Sequence, residues 1–368
     1  MGIYSRVLRP LLFCFDAERT HGGAIRAARI AGALLPVRKL LSAFYGFSDP
    51  RLETEVCGIR FQNPIGLAAG YDKDGLAVRC LSSLGFGHLE IGSISCCSSE
   101  GNPKPRLFRL PLDRAIVVHY GLPSEGADVI AARLRKVRLP VPLGINIVKT
   151  NRGMNAPPES DDAIIDDYVY SASMLKDLGN YLSLNLSCPN TETGRDFFAD
   201  RHHIVRLLTA LSELDIRCPL FLKASPLGGV RAIDTLLEAV EGIDLVSGFI
   251  FNLAPGKPDE LLTPGHIVDA MPGAVAGKPV EGQLNTCIRE MYRRMDRSRY
   301  RIIGSGGIFS AEDAYLKIRL GASMVQLLTA MIYEGPGVAK NINQGLCGLL
   351  ERDGFASISE AVGTGNDA

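Results

Sequence analysis

The sequence lacks a net charge, a long apolar run and a metal-type cysteine spacing, and each absence excludes a class of protein. The 40 Lys and Arg residues equal the 40 Asp and Glu residues in number, so we expect no nucleic-acid partner. No run reaches the roughly 18 to 20 apolar residues of a membrane-spanning helix. The first residues lack the apolar core and cleavage site of a signal peptide, and we expect no secretory signal.

The nine cysteines are odd in number and scattered, which favours a reducing compartment over a disulfide framework. No two of them have the CxxC spacing of a metal site, so we expect no bound metal. Cys96 and Cys97 are neighbours in the chain, and neighbouring residues in a strand point to opposite faces. We interpret them as packing residues rather than as a redox pair, and we expect a cytoplasmic protein.

Residues 1–45 differ from the rest of the chain, and we interpret them as a helical hairpin. Apolar residues recur at helical spacing over residues 4–15 and 24–44, with a polar turn at 16–21 between them. Basic residues flank both apolar stripes. Such helices can lie in a membrane interface, but the same stripe can also pack on a neighbouring domain. The periodicity alone leaves both interpretations open.

From residue 60 onward, short apolar runs alternate with longer helical stretches. Buried parallel strands are apolar without alternation, and eight such runs separated by helices predict an α/β fold, the (β/α)8 TIM barrel. A doubly wound open sheet is the alternative. We assign residues 46–355 to the barrel and 356–368 to a carboxyl-terminal tail, whose glycine-rich end we expect to be disordered. The predicted strands are 64–69, 89–95, 142–147, 181–187, 220–224, 248–253, 301–304 and 324–329.

Polar residues follow several of these runs, at the end of the barrel where this class of fold carries its active site. Lys73 comes just after the first run, Asn146 lies in the third, Asn185 lies in the fourth and Lys223 ends the fifth. Each of these residues alone could be a solvated lysine or a turn-capping asparagine. Because the strand ends meet at one mouth, we expect the four side chains to converge.

The glycine cluster from Gly304 to Gly307 follows the seventh run, where many barrels bind phosphate through backbone N–H groups. A glycine cluster can equally form a simple turn. The eighth run ends at Thr329 and Ala330, before a helix whose N-terminus could complete a phosphate site. A phosphate site beside lysines and amides predicts a phosphorylated cofactor with a polar ring.

Cys188 lies between Ser187 and Pro189, just past a strand end. A buried cysteine is usually a small packing residue. A thiolate can also serve as a general base where its surroundings lower the pKa of the thiol. Its position in a turn rich in hydrogen-bonding groups suits a reactive group, and both interpretations stay open on these residues alone.

Over roughly residues 1–345 the chain resembles the dihydroorotate dehydrogenases, and its first part resembles the amino-terminal extension of the quinone-dependent class (class 2). The stretches that carry the resemblance are long and occur in the family's order. They are 15–21 (FDAERTH), 63–75 (NPIGLAAGYDKDG), 90–93 (EIGS), 101–110 (GNPKPRLFRL), 144–147 (GINI), 185–191 (NLSCPNT), 302–308 (IIGSGGI) and 321–326 (GASMVQ).

The resemblance implies FMN-dependent oxidation of (S)-dihydroorotate to orotate in pyrimidine biosynthesis, with a quinone as electron acceptor. It implies peripheral association with the inner cell membrane through the hairpin, Cys188 as general base, and catalytic roles for Lys73 and Lys223. The implied flavin ligands are Ala69, Gly70, Ser93, Asn146, Lys223, Gly277, Gly306, Gly307, Thr329 and Ala330. The implied substrate ligands are Lys73, Gly121, Leu122, Asn185, Asn190 and Asn252, and the implied quinone ligands are His21 and Arg109.

Three departures from the family pattern concern the substrate site. Cys188 stands where the quinone-linked class has serine, whereas cysteine belongs to the soluble class. Val118 and Leu253 stand where the family has an asparagine and a threonine, and each lost hydrogen bond to a buried ring costs about 1 to 3 kcal/mol. Residues 95–99 replace a proline-rich stretch.

These departures keep two alternatives open. One is a diverged FMN oxidoreductase that acts on a less polar cyclic substrate. The other is a non-catalytic flavoprotein scaffold, which the joint presence of Lys73, Cys188 and Lys223 argues against, because a scaffold needs none of them.

Overall fold

A computed structural model of the chain describes residues 4–153, 155–187, 197–251, 253 and 256–366. Three of the predicted site residues, Cys188, Asn190 and Asn252, lie outside these ranges. The strands are β1 (Thr54–Val56), β2 (Ile59–Phe61), β3 (Ile65–Leu67), β4 (His88–Ile94), β5 (Leu107–Leu110), β6 (Ala115–Val118), β7 (Leu143–Ile147), β8 (Tyr181–Asn185), β9 (Leu220–Ala224), β10 (Val246–Phe251), β11 (Ala274–Gly277), β12 (Arg301–Ser305) and β13 (Met324–Leu327).

Eight of these strands close into a parallel barrel, in the order β10-β12-β13-β3-β4-β7-β8-β9. Each of the eight predicted runs overlaps one barrel strand, which confirms the (β/α)8 prediction over the open sheet. The runs are continuous because barrel strands are covered on both faces. Every residue of β7 and β8 is buried.

Helices surround the barrel, and several begin at side-chain caps. Ser160 caps α6 by accepting a hydrogen bond from the Ala163 N–H, and Ser310 and Asp313 form a capping box at α11. The helices are α1 (Arg9–Phe13), α2 (Ala17–Ala33), α3 (Leu35–Tyr45), α4 (Val78–Leu81), α5 (Ala127–Leu134), α6 (Asp161–Leu175), α7 (Arg201–Ser212), α8 (Gly229–Val240), α9 (Gly265–Asp269), α10 (Glu281–Arg294), α11 (Ala311–Arg319), α12 (Thr329–Glu334) and α13 (Val338–Asp353). A π-helical turn spans Tyr4–Leu8, and 3-10 turns span Pro50–Leu52, Phe197–Ala199, Lys278–Val280 and Ile358–Ala361.

A small β-hairpin closes the amino-terminal end of the barrel. β1 and β2 pair antiparallel, and the Phe61 ring of β2 lies edge-on to His88 with ring centres 5.5 Å apart. Phe61 also packs with Tyr181 and Phe221. This apolar plug leaves the carboxyl ends of the strands as the open end.

A second sheet, which the sequence did not predict, covers part of the open end. Its strands pair antiparallel in the order β11-β6-β5. Successive residues of a strand face opposite sides. Val117 of β6 therefore packs with Leu110 and Val275 on one side, while Ile116 and Val118 face the barrel mouth on the other.

The amino-terminal segment is helical, as predicted, but residues 16–21 are not a turn. α2 already begins at Ala17, and Asp16 caps it by accepting a hydrogen bond from the Arg19 N–H at 2.8 Å. An aspartate cap followed by Glu18 in the first turn stabilises a helix start, so the polar stretch is a helix start and the turn lies just before it. Pro36, in the first turn of α3, lacks an N–H and separates α3 from α2.

The hairpin packs on the barrel and is also exposed. α2 buries Ile25 and Gly32, and a Cβ on Gly32 would lie 2.8 Å from the Cys80 nitrogen of α4. Ile30, Leu40 and Phe44 on the other side are 67%, 70% and 66% exposed. The hairpin therefore packs on the barrel with one face and leaves other apolar side chains exposed. No helix within the described ranges is long and apolar enough to cross a bilayer.

The carboxyl-terminal residues pack on α11 as far as Asn366. The Gly365 N–H donates to the Arg319 carbonyl at 2.8 Å, and Asn366 Nδ2 donates to the Leu320 carbonyl at 2.9 Å. These carbonyls at a helix end have no intrahelical donor, and the glycine-rich end supplies one. The expectation of a disordered end is wrong for these residues.

Cys96 and Cys97 lie in a loop after β4, with their sulfur atoms 3.9 Å apart. Cys97 is exposed, so its interpretation as a packing residue is wrong. Burial and the neighbouring Asp167 carboxylate raise the pKa of the Cys96 thiol to about 12, which makes that thiol a poor nucleophile near neutral pH.

Candidate active site

A cavity of about 1360 Å³, including its open mouth, lies at the carboxyl ends of the barrel strands. The strand ends, the sheet of β5, β6 and β11, and helix α2 all contribute to its wall. The predicted site residues that line it are His21, Ala69, Gly70, Lys73, Ser93, Leu122, Asn185, Lys223, Gly277, Gly306, Gly307, Thr329 and Ala330.

The loop after β12 requires glycine at two successive positions. Gly306 and Gly307 have φ angles of +82° and +74°, which residues with a Cβ rarely adopt. A Cβ on Gly307 would lie 2.4 Å from the Cβ of Glu281, at the start of α10. The two glycines therefore let the loop pack closely against α10 while it lines the cavity, and a glycine loop of this kind can offer its backbone N–H groups to a phosphate.

Thr329 and Ala330 are the first residues of α12, and β13 ends at Leu327. The expectation that the eighth strand reaches Ala330 is therefore wrong by two to three residues. Because Thr329 and Ala330 begin a helix, their backbone N–H groups have no intrahelical partner and are available as hydrogen-bond donors. These groups and the loop at Gly307 line the same cavity.

Ser93, Asn146 and Asn185 form one hydrogen-bonded chain. Ser93 Oγ donates to Asn146 Oδ1 and accepts from Asn185 Nδ2 at 3.2 Å. Asn146 Nδ2 donates to Ser183 Oγ at 2.6 Å. Asn146 is fully buried and does not line the cavity, so its contact with the cavity runs through Ser93. Lys149, which follows β7, pairs with Glu159 away from the cavity.

Lys73 lies on the face of an aromatic ring. Its Nζ is 3.7 Å from the centre of the Tyr120 ring and donates to the Gly70 carbonyl at 3.1 Å. Burial and the nearby Arg106 lower the pKa of Lys73 to about 8. The cation–π contact supports the charged form. The amine is thus a cation that loses its proton within the range of ordinary assay pH.

The cavity wall contains the two apolar departures from the family pattern. Val118 and Leu253 both line the cavity, together with Leu122. Gly121 does not line the cavity, and its carbonyl accepts from Asn151 Nδ2 at 2.6 Å. This side of the cavity is therefore less polar than the family pattern implies.

The predicted quinone residues take different positions. His21 of α2 lines the cavity, and its ring lies edge-on to Tyr71 at 5.1 Å. Burial and the Lys73 charge lower the pKa of His21 to about 4, which leaves the imidazole neutral near pH 7. Arg109 of β5 does not line the cavity. It donates to the Phe15 carbonyl at 2.9 Å and stacks over Phe13 at 4.6 Å, so it fastens α1 and the following turn to the sheet.

Two ion pairs that share Glu18 also attach the hairpin to the cavity wall. Arg106 Nη2 lies 2.9 Å from Glu18 Oε1, and Lys104 lies 3.5 Å from the same oxygen. Arg106 is buried, donates to two backbone carbonyls, and lies 5.3 Å from the Tyr120 ring. α2 is thus connected to the wall that carries Lys73.

Sequence reasoning missed several residues of the site. These residues lie inside the motifs that carry the family resemblance, and their place in those motifs could have identified them. They are Glu18, Glu90, Arg106 and Gln326. Their partners were not visible, because Glu90 bonds Lys223 133 positions away and Glu18 bonds Arg106 88 positions away.

The chain matches the family model of dihydroorotate dehydrogenase over residues 51–350. It is 38% identical to the dihydroorotate dehydrogenase (quinone) of Natronomonas pharaonis over 364 residues, which is 99% of both chains. It is 37% identical to the Mycobacterium tuberculosis protein of the same name over 359 residues, 97% of both chains. The crystal structure of DHODH in complex with ferulenol from Eimeria tenella superposes with a TM-score of 0.83, at 30% identity and 95% coverage of both chains.

The fold, the cavity and the named relatives together define a (β/α)8-barrel oxidoreductase whose cavity is lined by a glycine loop and by polar side chains at the strand ends. A helical hairpin contributes to another part of the same wall. With the comparisons, the chain belongs to the dihydroorotate dehydrogenase family, whose members are FMN-dependent flavoproteins. The family resemblance and the FMN prediction are thereby confirmed.

The residues of the cavity fit FMN. The crowded glycines after β12 and the first turn of α12 can hold the phosphate. Lys223 and Asn185 supply donors for polar ring atoms in the same cavity, and the Ser93 hydroxyl, whose hydrogen is donated to Asn146, can accept a hydrogen bond there. Which of these side chains touches the cofactor stays a prediction.

Proposed function

We propose that this chain oxidises dihydroorotate to orotate with bound FMN and passes the electrons to a quinone. The observation that carries the proposal is one continuous cavity, lined by the glycine loop at Gly307, by Lys223, by Lys73 and by His21 of the hairpin. One ring cofactor in this cavity can therefore contact the phosphate site, the cationic substrate site and the hairpin. The relatives named dihydroorotate dehydrogenase (quinone) cover nearly the whole chain.

When bound, FMN supplies the ring that accepts a hydride and later gives up two electrons. Lys223 places a positive charge where the ring gains negative charge, which is a preorganised electrostatic role. Lys73 binds the carboxylate of the substrate as a cation. Asn185, which lines the cavity beside Ser93, orients the polar ring of the substrate.

We assign the general base to Cys188. Support comes from Asn185, which lines the cavity and lies three positions before it. A thiol has an ordinary pKa of about 8.5, nearer to neutrality than a hydroxyl group, so a modest lowering of that pKa yields a thiolate near pH 7. Asn190 and Asn252 are proposed as further substrate ligands on the family pattern.

The quinone side of the proposal rests on the hairpin. His21 is neutral near pH 7 and lines the cavity, which suits contact with an uncharged quinone. Leu40 and Phe44 of α3 and Ile30 of α2 expose a large apolar surface, and basic residues Arg38 and Lys39 adjoin it. An apolar face with basic flanks binds a membrane interface, so we propose peripheral attachment to the cytoplasmic face of the cell membrane.

Anaerobic mixing of the purified holoenzyme with dihydroorotate tests the proposal. The flavin absorbance should bleach, and a quinone should restore it. Lys73→Met should slow the bleaching, because the carboxylate loses its cation. Lys149→Met is the matched control, since Lys149 pairs with Glu159 outside the cavity, and it should bleach at the wild-type rate. A flavin that stays oxidised in the wild-type protein would contradict the proposed substrate.

Val118 and Leu253 favour a second candidate, oxidation of a less polar cyclic substrate. Both residues line the cavity, and neither side chain can form a hydrogen bond with a polar ring. A panel of reduced cyclic amides and acids, tested in the same bleaching assay, separates the two candidates. Faster bleaching by a less polar ring than by dihydroorotate would favour the second one. Val118→Asn should then shift the preference back toward dihydroorotate.

A further inference from the structure

A buried polar cluster, formed by His88, Glu90, Tyr181, Lys223 and Gln326, lies inside the barrel below the cavity. Of these five residues, Lys223 and Gln326 also line the cavity. The side chain of Glu90 is 0% exposed and that of Lys223 is 9% exposed. Charges buried to this extent are costly unless they are paired and hydrogen-bonded. A barrel layer built only for stability would be apolar, so the cluster calls for a functional explanation.

Glu90 is the centre of the cluster, because three donors converge on its two oxygen atoms. Lys223 Nζ lies 3.3 Å from Oε1, while the Tyr181 hydroxyl and Gln326 Nε2 donate to Oε2 at 3.1 Å and 2.9 Å. Such a set suits an ionised carboxylate, which only accepts hydrogen bonds. Burial and the Glu90 charge raise the pKa of Tyr181 well above its ordinary value, so the phenol stays a donor.

The remaining member of the cluster carries no charge near pH 7. Burial lowers the pKa of His88 to about 4, and the imidazole is neutral. Within the cluster, one carboxylate therefore faces one ammonium group. The ammonium group of Lys223 is the member that lines the cavity and can act on the cofactor ring.

We propose that Glu90 is a positioning residue that sets the redox potential of bound FMN through Lys223. The inference rests on the proposed function only in that FMN occupies the cavity. Reduction adds negative charge to the ring, and the Lys223 cation favours that charge. Glu90 holds Nζ in one place and offsets part of its charge, so it limits how strongly Lys223 raises the potential.

The test is the isosteric variant Glu90→Gln, which removes the negative charge and keeps the volume. We expect the two-electron midpoint potential of bound FMN to rise, with at least a tenfold change in the reduction equilibrium, about 30 mV. The potential is measured at pH 7 by anaerobic dithionite titration against a reference dye. An unchanged or lower potential would overturn the proposal. The matched control is Glu159→Gln, whose carboxylate pairs with Lys149 outside the cavity, and its potential should equal that of the wild type.

A double-mutant cycle tests whether Glu90 acts through Lys223. In the Lys223→Gln background, the further change Glu90→Gln should shift the potential much less than it does in the wild type. An equal shift in both backgrounds would mean a direct effect of Glu90 on the ring and would overturn the mediated role.

If Glu90→Gln does not fold, Tyr181→Phe provides the measurement. The change removes one donor from Glu90, which leaves more of the carboxylate charge to offset Lys223, and the potential should fall. A potential that rises or stays unchanged would count against the proposal. Because dithionite replaces the substrate, all these tests hold even for a protein that does not oxidise dihydroorotate. A failed bleaching assay and a failed potential shift therefore remain distinguishable.

Discussion

Substitution of Gly307 by alanine should weaken FMN binding through the phosphate alone. The φ angle of +74° costs a residue with a Cβ about 1 to 2 kcal/mol. The new Cβ would also lie 2.4 Å from the Glu281 Cβ and 2.9 Å from its Cα, so the loop must move by about 1 Å to restore van der Waals contact. A shift of that size misaligns the N–H groups that we assign to the phosphate.

The expected loss of FMN affinity follows from the hydrogen bonds that the phosphate would lose. Each bond to a charged phosphate contributes about 1.5 to 3 kcal/mol. The loss of two such bonds should raise the dissociation constant of FMN by about 10² to 10⁴. The apoprotein is titrated with FMN, and binding is monitored through the quenching of flavin fluorescence. A parallel titration uses riboflavin, which has no phosphate.

Two comparisons make the result decisive. Gly307→Ala should weaken FMN binding strongly and riboflavin binding little. Gly282→Ala is the matched control, because a Cβ there meets no atom within 4 Å, and it should bind both ligands as the wild type does. Wild-type affinity for FMN in Gly307→Ala would refute the phosphate assignment. Equal losses for FMN and riboflavin would indicate general damage to the cavity instead.

The remaining predictions concern the substrate, the base and the hairpin. The kcat/KM for dihydroorotate should fall as pH rises through about 8, because the free enzyme loses the Lys73 cation there; a pH profile flat to pH 9 would contradict this role. Cys188→Ala should retain FMN but slow flavin reduction strongly in stopped-flow experiments, and an unchanged rate would remove Cys188 from the mechanism. Phe44→Ser and Leu40→Ser, at side chains 66% and 70% exposed, should each reduce sedimentation with anionic vesicles about tenfold, since a buried large apolar side chain contributes about 1.5 to 3 kcal/mol. The control Leu316→Ser, on the outer helix α11, should sediment as the wild type does.

The barrel could be predicted from the sequence because its signal is local. Each barrel strand is short, covered on both faces and followed by a turn or polar loop, so it appears as a continuous apolar run. The sheet of β5, β6 and β11 was missed for the opposite reason. Its four-residue strands are too short to show a period, and Ala274 of β11 pairs with Val118 of β6 across more than 150 positions.

The prediction of a turn at residues 16–21 was wrong because it gave more weight to their polar composition than to the signals of a helix start. Residues 16–21 contain an aspartate cap at Asp16 and an acid in the first turn at Glu18, which are helix-start signals. In the site, the motifs identified residues at the strand ends but not their partners. The closed barrel brings Glu90 of β4 to Lys223 of β9, and no sequence pattern encodes that contact.

The hairpin contributes to the electrostatics of the substrate site as well as to its wall. Lys73 and Arg106 lie against the same Tyr120 ring, at 3.7 Å and 5.3 Å from its centre, and the Arg106 charge lowers the pKa of Lys73. Glu18 of α2 pairs with Arg106 at 2.9 Å and itself raises the pKa of Lys73. Glu18→Gln removes this carboxylate and leaves the hairpin that helps bury Lys73 in place. The pKa of Lys73 should then fall, although Asp74, which raises that pKa more than Glu18 does, remains. The pH optimum for an anionic substrate should therefore move to lower pH even when a soluble electron acceptor replaces the quinone.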